Sequence, residues 1–272
     1  MRFVFFLIIF LFADFAHSDD TDTGVSVGNT TIILSSPEGF VSLSEQSHRF
    51  IDMDQNFTGG DVRLVGFFVL KSEVEIAEAG GALTRYMLVK TNREFEFLNI
   101  TREHFSQLSS VFKKQSMESL YNQYGKEMVE EKIESLRRQY GQKWFESFVG
   151  PYLNPEFSRL YADEKNFIGS LALYGGKAVC GVNIIRANNK LLYVYVYDLS
   201  GDKRDNLDWV LRTSKNWVRN IISRNPSVDT TNKTFTSSMS RKEIFGKAVG
   251  KGIASGFFVM IILFVYFFFR KN

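Results

Sequence analysis

The sequence predicts an α+β domain, an antiparallel β-sheet covered by helices, between an N-terminal signal peptide and one C-terminal transmembrane helix. Apolar runs of strand length, bounded by Gly, Pro and Asn, predict the sheet. Longer segments whose apolar residues recur every three or four positions predict the helices. The strongly apolar composition of both chain ends predicts the signal peptide and the membrane helix.

Residues 1–18 have the composition of a secretory signal peptide. Arg2 precedes an apolar run at residues 3–12, which is too short to span a bilayer by itself. The small residues Ala16 and Ser18 predict cleavage after Ser18, so the mature chain would begin at Asp19. An uncleaved signal-anchor is the alternative, because a single arginine makes a weak positive region.

Residues 252–269 carry no charge and predict a transmembrane helix, which a short tail at residues 270–272 follows. At about 1.5 Å per residue this helix would be roughly 27 Å long, close to a hydrocarbon thickness of about 30 Å. Gly252 and Gly256 have the GxxxG spacing that lets two helix backbones approach closely, which points to transmembrane helix packing and a homodimer. The alternative is that these glycines have no such role, since glycine is common in membrane helices.

The charges that flank this helix are unequal. Four basic residues between positions 241 and 251 precede it, whereas only Arg270 and Lys271 follow. The positive-inside rule favours the opposite balance, but the N-terminal signal commits the chain to export before the last helix emerges. We therefore expect a single-pass membrane protein whose domain, residues 19–225, faces the periplasm from a bacterial inner membrane.

The segment between the domain and the membrane, residues 226–251, is first rich in Ser, Thr and Asn and then basic. This composition predicts a polar stalk that buries little surface, so removal of all residues from Arg241 onward should leave the fold unchanged. The net charge of +3 is concentrated beside the membrane. The basic residues therefore indicate contact with anionic lipid headgroups and not a nucleic-acid surface.

Within the domain, strands are predicted on both sides of a central helical region. The predicted strands are residues 25–34, 62–70, 83–91, 167–174, 179–186 and 191–198. A helical pair is predicted over about residues 102–148, divided at Gly125 by a C-cap. In a last predicted helix, residues 206–223, Trp217 lies at the centre of the apolar face and should be buried. The alternative is that Trp217 is an exposed anchor for a partner.

Two features of the predicted strands could carry a function. Tyr193, Tyr195 and Tyr197 lie on one face of a strand, where we expect an ordinary half-buried surface, with ligand stacking as the alternative. Cys180 is the only cysteine, so the domain has no internal disulfide. We expect Cys180 to act as a small buried hydrophobe, with a disulfide to another chain as the alternative.

Residue patterns that carry catalysis do not occur in this sequence. There is no glycine-rich phosphate loop and no Gly-x-Ser-x-Gly motif, and His48 and His104 stand far apart without a partner at zinc spacing. We therefore predict no catalytic, cofactor-binding or metal-binding residues and no cofactor. Sequons at Asn29, Asn56, Asn99 and Asn232 would carry glycans only in a eukaryotic secretory host. The lack of disulfides favours a bacterial envelope protein.

One order of elements runs through residues 25–224: strands, helices, a three-strand meander and a terminal amphipathic helix. Its characteristic residues are the turn Pro37-Glu38-Gly39-Phe40, the hairpin at 182–197 and, in the last helix, Asp208-Trp209, Trp217-Val218 and Ile221. This order is similar to that of the PsbP/DcrB-like α/β-sandwich group. The resemblance implies a non-catalytic extracytoplasmic accessory or binding domain.

These observations predict a membrane-anchored extracytoplasmic accessory or binding protein without catalytic activity. Its expected partners are the membrane and another protein, and not a nucleic acid. One alternative is an envelope hydrolase whose carboxylate site has no recognisable motif. The other is the ectodomain of a eukaryotic cell-surface receptor, which glycans on the sequons would support.

Overall fold

The computed structural model describes residues 22–43, 61–79, 82–114, 116–140, 142, 155–158, 160–176, 178–201, 203–229 and 250–254. The predicted signal peptide lies outside the described residues, as do residues 255–272 of the predicted membrane helix and tail. Among the residues that the structure describes, no helix combines the length and the apolar composition needed to cross a membrane.

The strands of the described residues form a two-stranded hairpin and an eight-stranded antiparallel sheet. The hairpin pairs β1 (Asp22–Val27) with β2 (Thr30–Ser35). The sheet consists of β3 (Phe40–Ser42), β4 (Val62–Leu70), β5 (Arg85–Asn92), β6 (Glu156–Phe157), β7 (Ala162–Glu164), β8 (Phe167–Tyr174), β9 (Ala178–Ala187) and β10 (Lys190–Asp198). Their order across the sheet is β3-β4-β5-β10-β9-β8-β6, with β7 also paired to β8.

The helices of the described residues lie between these strands and after them. A 3₁₀ turn, Lys71–Glu73, leads into the short helix α1 (Val74–Glu78). The elements that follow are α2 (Arg102–Lys114), α3 (Met117–Leu120), a π turn (Tyr121–Gly125), α4 (Lys126–Tyr140) and α5 (Lys203–Arg224). Residues 250–254 form one further helical turn. The sheet and its covering helices confirm the predicted α+β class.

The prediction of one strand over residues 25–34 is wrong, because this segment contains a turn. Gly28 has a φ of +59°, a left-handed conformation that glycine adopts without steric cost, and the chain reverses there between β1 and β2. Apolar and β-branched residues on both sides of Gly28 give the segment the composition of a single strand. The predicted strand at 62–70, by contrast, has the bounds of β4.

The predicted meander of β8, β9 and β10 is confirmed. Asn188 and Asn189 connect β9 to β10 with φ values of 45° and 60°, as the twist of a tight hairpin requires. β10 then pairs with β5, which places β9 and β10 in the middle of the sheet. Every residue of these two strands is buried, because other parts of the chain cover both faces of the sheet.

A hydrophobic core lies on each face of this sheet. On one face, Trp217 of α5 is 4% exposed and packs edge-on against Phe68, with ring centroids 5.1 Å apart. Its indole nitrogen donates a hydrogen bond of 2.8 Å to the carbonyl oxygen of Ser35. The prediction that Trp217 is buried is therefore confirmed. The other face carries the tyrosines of β10 and packs against α2, the π turn and α4.

Gly125 does not end a helix, so the predicted C-cap is wrong. The chain passes from α3 through the π turn into α4 without leaving helical conformation. The helix that α3 opens starts at Ser116, whose side chain accepts a hydrogen bond of 3.1 Å from the backbone nitrogen of Ser119, the usual bond of an N-cap. Gly125 therefore lies in a helix interior, where glycine is unfavourable and its presence is not explained by a helix end.

Candidate functional site

The helical turn at residues 250–254 packs into the core on the tyrosine face of the sheet. Ile253 is 1% exposed and Ala254 is fully buried, and both belong to the core that contains Tyr193 and Tyr195. The sequence assigns residues 250–251 to the stalk and residues 252–254 to the membrane helix. In the structure, all five residues contact or lie beside the folded domain.

Gly252 lies against two tyrosines of β10. A β-carbon at Gly252 would overlap the ring of Tyr193, so any larger residue would force the chain away from the strand. The carbonyl oxygen of Gly252 accepts a hydrogen bond of 2.5 Å from the hydroxyl of Tyr195. This bond satisfies a buried hydroxyl that would otherwise lose its hydration without compensation.

Small residues also allow the helical turn at residues 250–254 to approach the π turn closely. A β-carbon at Gly125 would lie 2.8 Å from the carbonyl oxygen of Gly250 and 2.9 Å from the β-carbon of Ala254. A β-carbon at Gly250 would in turn overlap Tyr124 and lie 3.0 Å from the carbonyl oxygen of Leu120. The π turn therefore presents a glycine where another backbone crosses it, consistent with the frequent location of π turns at functional sites.

An ion pair closes the edge of this contact. The ammonium group of Lys251 pairs with the carboxylate of Asp61. The Lys251 side chain is 18% exposed and the Asp61 side chain is 42% exposed. Asp61 is fixed in turn, since its carbonyl oxygen accepts a hydrogen bond of 2.9 Å from the backbone nitrogen of Arg93. Because both side chains reach solvent, the ion pair contributes little stability, and its main effect is to fix the position of residues 250–254 on the domain.

We call the surface that receives residues 250–254 the C-terminal seat. It consists of Asp61, Leu120, Tyr124, Gly125, Tyr193 and Tyr195. These residues come from the position before β4, the end of α3, the π turn and β10, so the seat requires the complete tertiary fold. The sequence offers one sign of it: helical spacing continues after Gly125, which would be unusual for a C-cap.

The two glycines predicted to pack transmembrane helices have different outcomes. Gly252 contacts Tyr193 of its own chain, so in this conformation it is used within the chain. Gly256 lies outside the described residues. A homodimer formed through the transmembrane helix stays a prediction.

The predicted stalk is held to the domain at its first residues as well. Arg186 is fully buried, and its guanidinium pairs with Asp229 at 2.9 Å and donates to the carbonyl oxygen of Val228 at 3.3 Å. Ser227 accepts a hydrogen bond of 2.9 Å from the backbone nitrogen of Asn189. The polar composition of this segment gives no indication of these contacts, because Arg186 and Asn189 lie 42 and 38 residues before their partners Val228 and Ser227 in the chain.

The tyrosine face is more deeply buried than the sequence predicts. Tyr193, Tyr195 and Tyr197 are almost inaccessible to solvent, and burial raises the pKa of Tyr193 and Tyr197 well above the usual tyrosine value. Tyr197 stacks on Tyr86 with ring centroids 4.5 Å apart. These rings fill a core, so ligand stacking would require the face to open.

Cys180 lies in the same core and is fully buried, as predicted. Burial raises the pKa of its thiol well above the usual value, although a hydrogen bond with Tyr197 opposes this effect. The buried thiol is therefore a poor nucleophile and cannot reach a cysteine of another chain while the domain is folded.

The buried carboxylates of the described residues all have structural partners. Glu73 accepts hydrogen bonds from the backbone nitrogen and the hydroxyl of Thr84, at 3.1 and 2.5 Å. Glu96 pairs with Arg63 at 2.7 Å, and Asp198 pairs with Arg85 at 2.7 Å. Among the residues that the structure covers, no group of three His, Cys, Asp or Glu could hold a metal ion.

Comparisons with known proteins do not assign this chain to a family. No protein-family model, curated protein or solved structure matches it. The C-terminal seat therefore rests on its own geometry as the candidate functional site.

Proposed function

We propose that this chain is a membrane-anchored extracytoplasmic accessory or binding protein without catalytic activity, located in a bacterial envelope. The observation that carries the proposal is the C-terminal seat. It joins the folded domain directly to the first turn of the segment whose apolar sequence predicts a membrane helix. A domain packed on its own anchor suits a protein that works at the membrane surface.

The partners of the buried carboxylates support a binding role over the hydrolase alternative. A carboxylate that acts as a general acid or base needs an unengaged proton-transfer position facing a substrate. Glu73, Glu96 and Asp198 instead fix loops and strand ends through hydrogen bonds and ion pairs. The alternative would gain support if purified protein hydrolysed an envelope polymer and lost this activity in one carboxylate-to-amide variant.

The receptor alternative depends on glycans. Asn29 and Asn99 are both exposed, so oligosaccharides could be attached there, whereas Asn56 and Asn232 lie outside the described residues. The resemblance to the PsbP/DcrB-like group stays a prediction and supports the accessory role. It implies no site residues.

A protease-protection experiment tests the proposed topology. The full chain is produced in a bacterial host, and spheroplasts and inside-out membrane vesicles are treated with protease. We expect digestion of the domain in spheroplasts, protection in inside-out vesicles, and retention of the chain in membranes after alkaline carbonate extraction. A variant that lacks residues 1–18 serves as the control and should stay in the cytoplasm. Protection of the domain in spheroplasts would contradict the proposal.

A further inference from the structure

We propose that the C-terminal seat and the lipid bilayer compete for residues 252–254, so that bilayer thickness controls whether the domain is held on its own anchor. The inference rests on the proposed function, because it requires the apolar C-terminal segment to enter a membrane. It goes further by assigning the seat a regulated state.

The competition follows from length. When Gly252, Ile253 and Ala254 occupy the seat, they contact protein and cannot also contact lipid. The apolar residues that remain, 255–269, would span about 22 Å as a helix, well below a hydrocarbon core of about 30 Å. Release of the seated turn adds about 4.5 Å of apolar helix. The seated conformation therefore fits a thin bilayer, and the released conformation fits a thicker one.

The contacts of the seat are strong enough to define a position and weak enough to open. The Lys251–Asp61 pair is partly exposed, so water can replace it when it breaks. Lys251 can then reach anionic headgroups with its long side chain. The Tyr195 hydroxyl is the group that loses a buried acceptor on release. Mismatch costs little per ångström, but the seated segment falls several ångströms short of a thick bilayer, so the summed cost of mismatch opposes the contacts of the seat.

Cross-linking across the seat measures its occupancy. The full chain with Asp61→Cys and Lys251→Cys is reconstituted into phosphatidylcholine vesicles of short, intermediate or long acyl chains (about 14, 18 and 22 carbons) and treated with a short bismaleimide. The native Cys180 is buried and should not react. We expect the cross-linked fraction to fall at least about threefold from the thinnest to the thickest bilayer.

The matched control is the pair Lys113→Cys with Asp163→Cys. It replaces another surface ion pair, 2.7 Å long, that joins α2 to β7 within the domain. Its cross-linked fraction should be the same in all three bilayers. A thickness dependence in this control would show that the reagent or the fold changes, and would overturn the interpretation.

A second variant separates the seat from the cysteine pair. Gly252→Val, added to Asp61→Cys and Lys251→Cys, would collide with Tyr193 and should give little cross-linking at any thickness. The control pair in the Gly252→Val background should still cross-link, which shows that the domain is folded. Unchanged cross-linking of the seat pair in Gly252→Val would overturn the assigned contact.

Flotation distinguishes failure of this inference from failure of the proposed function. A chain that does not float with vesicles would overturn membrane anchoring and the inference together. A chain that floats, but whose seat cross-links equally in thin and thick bilayers, would overturn only the inference.

Discussion

Trp217 combines burial with a satisfied polar atom. Its indole ring fills the contact between α5 and the sheet, and its nitrogen donates to the carbonyl oxygen of Ser35 on β2. One side chain therefore holds three elements together: the helix, the sheet and the β1–β2 hairpin.

We expect Trp217→Ala to lower the free energy of unfolding by roughly 3–5 kcal/mol, as the loss of a large core aromatic does. Urea titration followed by circular dichroism would measure the loss. The neighbouring Asn216 is exposed, so Asn216→Ala should have an effect within about 0.5 kcal/mol. An unchanged urea unfolding curve for Trp217→Ala would contradict the core role and favour the alternative of a partner anchor.

Cys180 offers a measurement that changes no residue. Because the thiol is buried and its pKa is raised, we expect no reaction with a neutral aromatic disulfide reagent at pH 8 while the protein is folded. One thiol per chain should react after addition of guanidinium chloride. Rapid reaction of the native protein would contradict the packing of the tyrosine core.

At the scale of elements, Asp163 ties α2 to the edge of the sheet. Its carboxylate pairs with Lys113 at 2.7 Å and accepts a hydrogen bond of 2.5 Å from Ser109. These donors, the bond from Lys113 first, lower the pKa of Asp163 below its usual 3.8. A lowered carboxyl pKa stabilises the fold above the unfolded-state value, and this contribution is lost as the pH falls through the folded-state value.

We therefore expect Asp163→Asn to cost about 0.5–1 kcal/mol at pH 7, after allowance for the solvent exposure of both side chains. The difference from the wild type should shrink as the pH is lowered below about 3.8. Denaturation at several pH values would measure it. A difference that stays constant down to pH 2 would contradict an electrostatic role for this link.

The crossing of the π turn and residues 250–254 predicts an effect that changes sign with the length of the chain. In a fragment of residues 19–254, Gly125→Ala would press against Gly250 and Ala254 and should destabilise the fold by about 1–3 kcal/mol. In residues 19–240 the crossing segment is absent. The same substitution should then stabilise by up to about 1 kcal/mol, because alanine favours a helix interior. Equal effects in both fragments would show that Gly125 does not face this segment.

At the scale of the whole molecule, the segment after α5 is part of the domain at both of its described ends. Residues 227–229 bind to Arg186 and Asn189, and residues 250–254 occupy the C-terminal seat. That removal of all residues from Arg241 onward leaves the fold unchanged stays a prediction, and the contacts of residues 250–254 add that the shortened domain should be less stable.

We expect residues 19–240 to fold with lower stability than residues 19–254. Removal of Ile253 and Ala254, with exposure of Tyr193 and Tyr195, should cost about 2–4 kcal/mol. The shorter fragment should also bind a hydrophobic dye through the exposed tyrosine face. Equal unfolding midpoints for the two fragments would show that the seat contributes nothing to stability.

The sequence by itself determined the elements whose signals are local. Alternation and apolar runs place β4 and β8, Asn188-Asn189 marks the hairpin, and the apolar stripe of α5 identifies Trp217 as buried. These signals are local because strand and helix periodicities extend over only a few residues.

The tertiary structure alone decided what the glycines and the buried charges do. A glycine permits a turn, a cap or a close approach equally well, and only the position of Gly250 shows that Gly125 serves an approach. Two partners of Arg186, the carbonyl oxygen of Ile100 and the carboxylate of Asp229, come from distant parts of the chain, so no local pattern marks Arg186 as buried. The C-terminal seat depends on contacts of this kind: Tyr195 and Gly252 are 57 positions apart in the sequence, so they meet only after the sheet has formed and the chain has returned to its tyrosine face.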